Sequence, residues 1–270
     1  MKADLAILNG NIVNVRTKKI VKDSIAIKSG RIIRVGNVRD LIGVSTTVVN
    51  AKDLYVSPGF IDAHIHLESS MLTVTEFAKA ALPHGTTSVV VDPHEIANVL
   101  GMSGVKLFLD ESANLPLKVF LTAPSCVPAA AGFETSGAEL TPENVDELLR
   151  IPRVVGLGEV MNYQEVIKRN PVMLMKIRIA HSLRKRVDGH APGLRGRELA
   201  AYVSAGIDSD HECVEGREAI EKLRLGMWIM VREGSAAKNL HEIIHTIREK
   251  KVGTEHIMLV TDDLSSNDLV

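Results

Sequence analysis

Short runs of alternating apolar and polar residues occupy positions 4–15, 23–28 and 31–35, with Ser29-Gly30 as a turn between the last two. Alternation with a period of two marks half-buried strands, so residues 1–55 are expected to form a small antiparallel β unit. From residue 56 the pattern changes to apolar runs separated by stretches of helical periodicity, which predicts βα units around a parallel sheet. Strands are expected at 57–65, 86–92, 118–123, 154–159, 185–189, 206–210, 227–231 and 257–261. Eight such strands close a barrel. The expected fold class is therefore α/β: a TIM-like (β/α)8 barrel over residues 56–270, truncated after strand eight, with the N-terminal β unit as an incomplete β-sandwich.

The helices between the strands are legible from their ends. Thr141 offers an N-cap oxygen ahead of Pro142 at the first helical position, with Val145, Leu148 and Leu149 on one face. The stretches 195–204 and 215–225 each run into a glycine stop, Gly206 and Gly226, and 236–250 carries Leu240, Ile243, Ile244 and Ile247 at helical spacing. Met173 and Met175 read as core filler.

Composition narrows the class. A 270-residue chain with 45% hydrophobic residues and a net charge of -1 can bury a large core, and its charge balance gives no case for nucleic acid. No apolar run reaches the ~18 residues needed to span a membrane, and Asp4, Asn9 and Asn11 interrupt any secretory core, so a cytoplasmic location is expected. Cys126 and Cys213 are too few for a disulfide framework and are expected to be reduced, packed thiols.

The chemistry lies where the strands end. Pro58-Gly-Phe-Ile-Asp-Ala-His64-Ile-His66 places two histidines two apart, and residues i and i+2 of a strand share a face. Strand two ends in Asp92 and His94, strand four in Glu159, strand five in His190, strand six in His211, and strand eight in Asp262 and Asp263. A single such residue usually reads as a satisfied polar group. Repetition around the working end of a parallel barrel does not. A metal pair needs imidazoles plus a carboxylate between the ions, so Glu159 is the expected bridge, with His64, His66 and Asp262 on one ion and His190 and His211 on the other. Such a pair makes water acidic enough to attack an sp² carbon. His84 is expected in a turn, and His181, His241, His245 and His256 lie on or beside helices, away from this set.

These residues resemble the adenine deaminases of the amidohydrolase superfamily. The resemblance is carried by Asp62-Ala-His-Ile-His-Leu-Glu-Ser-Ser-Met71, Asp92-Pro-His-Glu-Ile-Ala-Asn98, Ala123-Pro-Ser-Cys-Val-Pro128, Asp188-Gly-His-Ala-Pro-Gly193, Ser209-Asp-His-Glu-Cys213, Arg232-Glu-Gly-Ser-Ala-Ala-Lys238 and Thr261-Asp-Asp263. It implies deamination of adenine to hypoxanthine and ammonia, in purine salvage, by a metal-activated hydroxide attacking C6. The metal pair it implies is manganese or iron, with zinc also compatible with the donors. It further implies that Glu159 stands where many relatives carry a carboxylated lysine. Asp262 would be both ligand and proton acceptor, with Asp263 facing a purine ring nitrogen. Asp92 and His94 would orient the attacking water, stabilise the intermediate, or support the ligands from behind. Glu68, Arg232 and Ser235 are candidate substrate contacts, although Arg232 and Glu233 could equally pair with each other.

The chain departs from that family in length and in its last segment, where Leu264-Ser265-Ser266 replaces a basic residue, histidine and proline. Missing strands and a missing last helix leave apolar flanks, so assembly into a homo-oligomer or with a missing C-terminal polypeptide is expected, as is dependence of activity on that partner. The alternatives are a non-catalytic truncated paralogue and another cyclic amidohydrolase.

Overall fold

In the computed structural model, which describes residues 1–269, the alternating stretch folds as β1 (Leu5–Asn14), β2 (Lys19–Lys28), β3 (Arg31–Val35), β4 (Thr47–Asn50) and β5 (Tyr55–Val56). Ser29 (φ 50) and Gly30 (φ 71) form the two-residue turn between β2 and β3, both left-handed as the twist of a tight hairpin requires. The sheet order is β3-β2-β1-β4, with β5 also on β1. This unit is not wholly antiparallel: β4 and β5 run parallel to β1. The reason is the connection through residues 36–46, long enough to bring the chain back before β4 starts. Met1–Gly59 make a unit of their own. Its buried cluster is small, Ala3, Ala6, Ala26 and Val38, while Ile20, Ile32 and Val35 are exposed.

The second unit begins at Phe60. Its strands are β6 (Phe60–His66), β7 (Thr86–Val91), β8 (Lys118–Ala123), β9 (Val154–Val160), β10 (Arg186–Gly189), β11 (Ser209–Asp210), β12 (Trp228–Arg232), β13 (Ile257–Val260) and β14 (Asp262–Asp263). Between them lie α1 (Val74–Ala81), α2 (His94–Leu100), α3 (Met102–Glu111), α4 (Pro142–Leu149), α5 (Tyr163–Ile167), α6 (Pro171–Ser182), α7 (Gly196–Ser204), α8 (Gly216–Arg224) and α9 (Leu240–Glu249). All the strand pairs are parallel, in a six-stranded sheet β10-β9-β8-β7-β6-β14 and a three-stranded sheet β11-β12-β13. The Asp208 N–H donates to Val187 O (2.9 Å) and links the two sheets at β10 and β11. The result is the expected βα barrel. Among the described residues no helix is long and apolar enough to cross a membrane.

The expected strand six, 206–210, shrinks to Ser209–Asp210 because Gly206 (φ 104) turns the chain and Asp208 is held by Val187 N and Arg186. Strand eight breaks at Thr261, where the hydroxyl and N–H both bond to Asp62, and Asp262 (φ 60) is left-handed. Asp262 and Asp263 thus leave β13 and pair with Ile65 and His66 of β6. The last helix starts at Leu240 rather than 236, because Gly234, Ala237 and the Glu233–Lys238 bridge form a turn first. Pro142 opens α4 behind a capping box of Thr141 and Asn144. Met173 is buried, but Met175 is 48% exposed: two residues apart on α6, the pair cannot both face the core. Both cysteines are free and buried.

Candidate metal centre

Strand alternation turns His64 and His66 of β6 to one face, where both are buried and their Nε2 atoms lie 3.2 Å apart. His66 Nδ1 is 2.9 Å from the backbone oxygen of Asp92, an acceptor, so this nitrogen carries the proton and Nε2 is left with its lone pair. Glu159 comes from β9 and divides its oxygens. Its Oε1 is 3.4 Å from His66 Nε2 and 3.4 Å from His94 Nδ1, while its Oε2 is 2.5 Å from His190 Nδ1 and 3.2 Å from His211 Nε2. Asp262, delivered by the left-handed break, puts Oδ1 3.4 Å from His64 Nε2 and 3.3 Å from His66 Nε2. Among the described residues four sets of donor atoms lie within 4.8 Å of one another: His64, His66 and Asp262; His64, Glu159 and His211; His66, His94 and Glu159; and His190, His211 and Glu212.

Each ligand is held from behind. The buried Asp92 carboxylate accepts from Glu159 N (2.8 Å), and Gly158 is there because a Cβ would lie 2.3 Å from Asp92 Oδ2. Asp92 therefore acts on the backbone of Glu159, and its side chain lies behind the donor atoms. Ser125 Oγ donates to Glu159 O (2.5 Å) from the end of β8. Arg232 donates to Glu212 and to Asp262 Oδ2 (3.1 Å), and it does not pair with Glu233. Beneath the loops bearing His190 and His211, the fully buried Lys222 ammonium bonds to Ala191 O (2.7 Å) and Glu218 (2.7 Å) and pairs with Asp210 (3.1 Å). Asp210 in turn accepts from Ala191 N and Glu212 N, so one buried ion network fixes both loops.

The electrostatics suit cations. Burial would raise the Glu159 carboxyl, but the hydrogen bond to His190 and the close His211 imidazole hold it well below the usual carboxylate range. Asp262 is likewise held low against burial by His64 and His66, and Asp188 by His211 and His64. Burial and the neighbouring His211 work against a proton on His64, yet bonds to Asp188 and Asp262 outweigh them and raise it to about 10; His66 is raised to about 9, chiefly by Asp262 once burial is overcome. Without metal, the acids thus draw protons onto the imidazoles to balance their own charge. His211, buried, makes no hydrogen bond from either ring nitrogen, and neither does His94 Nδ1. Lone pairs aimed at a shared point, with ionised oxygens around them, fit divalent ions.

The expected ligands His64, His66, Glu159, His190, His211 and Asp262 are thus all brought together, with His94 beside them. The candidate substrate contacts divide. Asp263 accepts a hydrogen bond from Ser69 on the loop after β6. Glu68 caps Ile96 N (3.1 Å) and its other oxygen is unpaired; burial pushes it up to about 7. Arg232 is buried among carboxylates, and Ser235 bonds through its hydroxyl to Asp268 (2.5 Å) and Ser265 N (2.8 Å), with its N–H on Asp263 O (2.8 Å). Sequence reasoning missed Glu212, whose signal was its place directly after His211, and Lys222, whose only signal was Glu218 one helical turn before it. His181 bonds Gly206 O and His256 stacks on Trp228.

Residues 55–269 match the amidohydrolase family. The chain is 47% identical over 271 residues to an adenine deaminase of Moorella thermoacetica and 46% identical over 270 residues to one of Methanococcoides burtonii, covering 100% of this chain and 46% of each relative. It therefore spans about half the length of the curated relatives it matches. Among solved structures, an atrazine chlorohydrolase from Arthrobacter aurescens TC1 complexed with zinc superposes with a TM-score of 0.66 at 13% identity, over 97% of this chain and 74% of that one. A beta-aspartyl dipeptidase from Fervidobacterium islandicum AW-1 gives 0.62 at 16% identity, over 96% and 73%. At such identities the likeness speaks for the fold.

Proposed function

The chain belongs to the amidohydrolase family, and from that premise we propose that its metal centre serves the hydrolytic deamination of adenine, adenine and water giving hypoxanthine and ammonia. The observation that carries the reading is the division of Glu159, one oxygen toward His66 and the other toward His190 and His211, at the end of a βα barrel. His64, His66 and Asp262 would hold one divalent ion and His190 and His211 the other, with Glu159 between them. When bound, such a pair lowers the pKa of water toward neutrality and so supplies hydroxide for attack on C6. Asp262 keeps Oδ1 toward the two histidines while Arg232 fixes Oδ2, so the carboxylate is oriented to accept the water's proton and return it to the departing amine. Asp263, on the adjacent residue and restrained by Ser69, is the proposed contact to a purine ring nitrogen. His94, on the Oε1 side of Glu159, is proposed to stabilise the tetrahedral intermediate formed when hydroxide adds to C6.

Manganese or iron is the proposed native metal, and zinc suits the same donors. The proposed setting is cytoplasmic purine salvage. The exposed apolar strands of the first unit, Ile20, Ile32 and Val35 among them, are proposed to take a second copy of the chain or the part of the relatives' length that this chain does not span. The test is ammonia release by the metal-loaded chain from adenine, adenosine and cytosine, with ring opening of hydantoin to N-carbamoylglycine followed separately. Ammonia from adenine alone is expected; ring opening of hydantoin without ammonia from adenine would transfer the reading to another cyclic amidohydrolase.

A further inference from the structure

Asp188 lies two residues before His190 on β10 and is buried at the floor of the cluster. Its Oδ1 accepts from Ser209 Oγ (2.7 Å) and from Gly189 N (2.9 Å). Its Oδ2 is 2.9 Å from His64 Nδ1 and 3.7 Å from His211 Nδ1. Those two rings stack, with centroids 4.0 Å apart and planes at 22°. An ionised carboxylate can only accept, so His64 Nδ1 must carry the proton it gives to Asp188, and the lone pair is left on Nε2, which faces Asp262. His211 Nδ1, at 3.7 Å, is beyond hydrogen-bond distance, and its Nε2 faces Glu159.

One carboxylate thus holds His64 directly and His211 only through the stack of the two rings, and it reaches from the fifth barrel strand to the first. A cavity of about 340 Å³ lies on the inner side of His64 and Asp188, walled by Ala63, Val90, Gly156 and Met230. On that side the His64 ring is held by its hydrogen bond to Asp188, while His66 and His211 pack against its other faces.

We propose that Asp188 is a positioning residue that sets the tautomer and orientation of His64 and, through the stack of the two rings, the place of His211, so that the two ions are bound as a unit. The proposal rests on the reading of the cluster as a binuclear metal site. The test is Mn²⁺ titration of the purified full chain against a competing chelator, for the unaltered protein and for Asp188→Asn, Asp188→Ala and Ser209→Ala. An amide in place of the carboxylate either turns an N–H toward His64 Nδ1, favouring the tautomer with no lone pair on Nε2, or gives up Ser209 and Gly189. Asp188→Asn is therefore expected to weaken both ions by about 10–100-fold, more than Asp188→Ala does. A residue that merely filled space would give the opposite order, since asparagine matches aspartate in shape. Ser209→Ala, which removes one bond to Oδ1 and leaves the ligands intact, is expected to weaken both ions by a few fold. Asp188→Asn milder than Asp188→Ala, weakening of one ion alone, or Ser209→Ala at unaltered affinity would each overturn the proposal. No Mn²⁺ bound by the unaltered chain would overturn the metal reading itself, and the proposal with it.

Discussion

Two adjoining layers of one barrel interior are filled in opposite ways. At the C-terminal ends of the strands, His64, His66, Glu159, His211 and Asp262 are packed to 5% exposure or less, with carboxylates and imidazoles in direct contact. On the other side of His64 and Asp188, small or slender side chains such as Ala63, Thr122 and Val90, and Gly156, leave about 340 Å³ open. Barrels of this kind normally fill that layer with branched apolar side chains. The contrast locates the rigidity of the site. Hydrogen-bonded struts behind the ligands hold them, from Asp92, Arg232, Asp188 and Lys222, and apolar packing beneath contributes less.

If so, cutting a strut should cost far more than altering the cavity. The largest effect is expected for Lys222→Met, which leaves Asp210 and Glu218 buried without their cation: a loss of about 3–5 kcal/mol in urea unfolding, with weaker metal binding because the His190 and His211 loops are released. Adding Mn²⁺ to the metal-free chain at about 100 times its dissociation constant should stabilise it by about 2.7 kcal/mol per independent site, read as a rise in melting temperature that chelator reverses. Gly158→Ala drives a methyl into the Asp92 carboxylate and is expected to cost about 1–3 kcal/mol, and to weaken metal binding through the Glu159 backbone. Val90→Leu, which extends a side chain into the cavity, should change stability by no more than about 1 kcal/mol and leave metal affinity alone. A Val90→Leu effect on metal as large as that of Gly158→Ala would erase the contrast between the layers.

The strands were legible because each is an apolar run bounded by turns, and the clustered histidines and carboxylates were legible because they terminate those runs. What bends the pattern is long-range. Strand eight could not be seen to break at Thr261, because its partner Asp62 lies 199 residues away in sequence. Arg232 looked like a substrate contact, since an arginine at a strand end commonly faces outward, and only the fold brings Glu212 and Asp262 to it. Ser235 was misleading for the same reason, its partner being Asp268. Lys222 sits on a helix whose sequence reads as an ordinary amphipathic face; its burial depends on Asp210 from a different element. Parallel β4 was hidden because strand direction is a property of the connection and not of the strand.

Metal stoichiometry bears most directly on the claim that Glu159 joins two ion sites. Mn²⁺ titration of the metal-free chain and of its Glu159→Gln variant, followed by direct metal analysis, should give two ions per unaltered chain and no more than one for the variant. A single ion in the unaltered chain, or two ions retained by Glu159→Gln, would contradict the bridge.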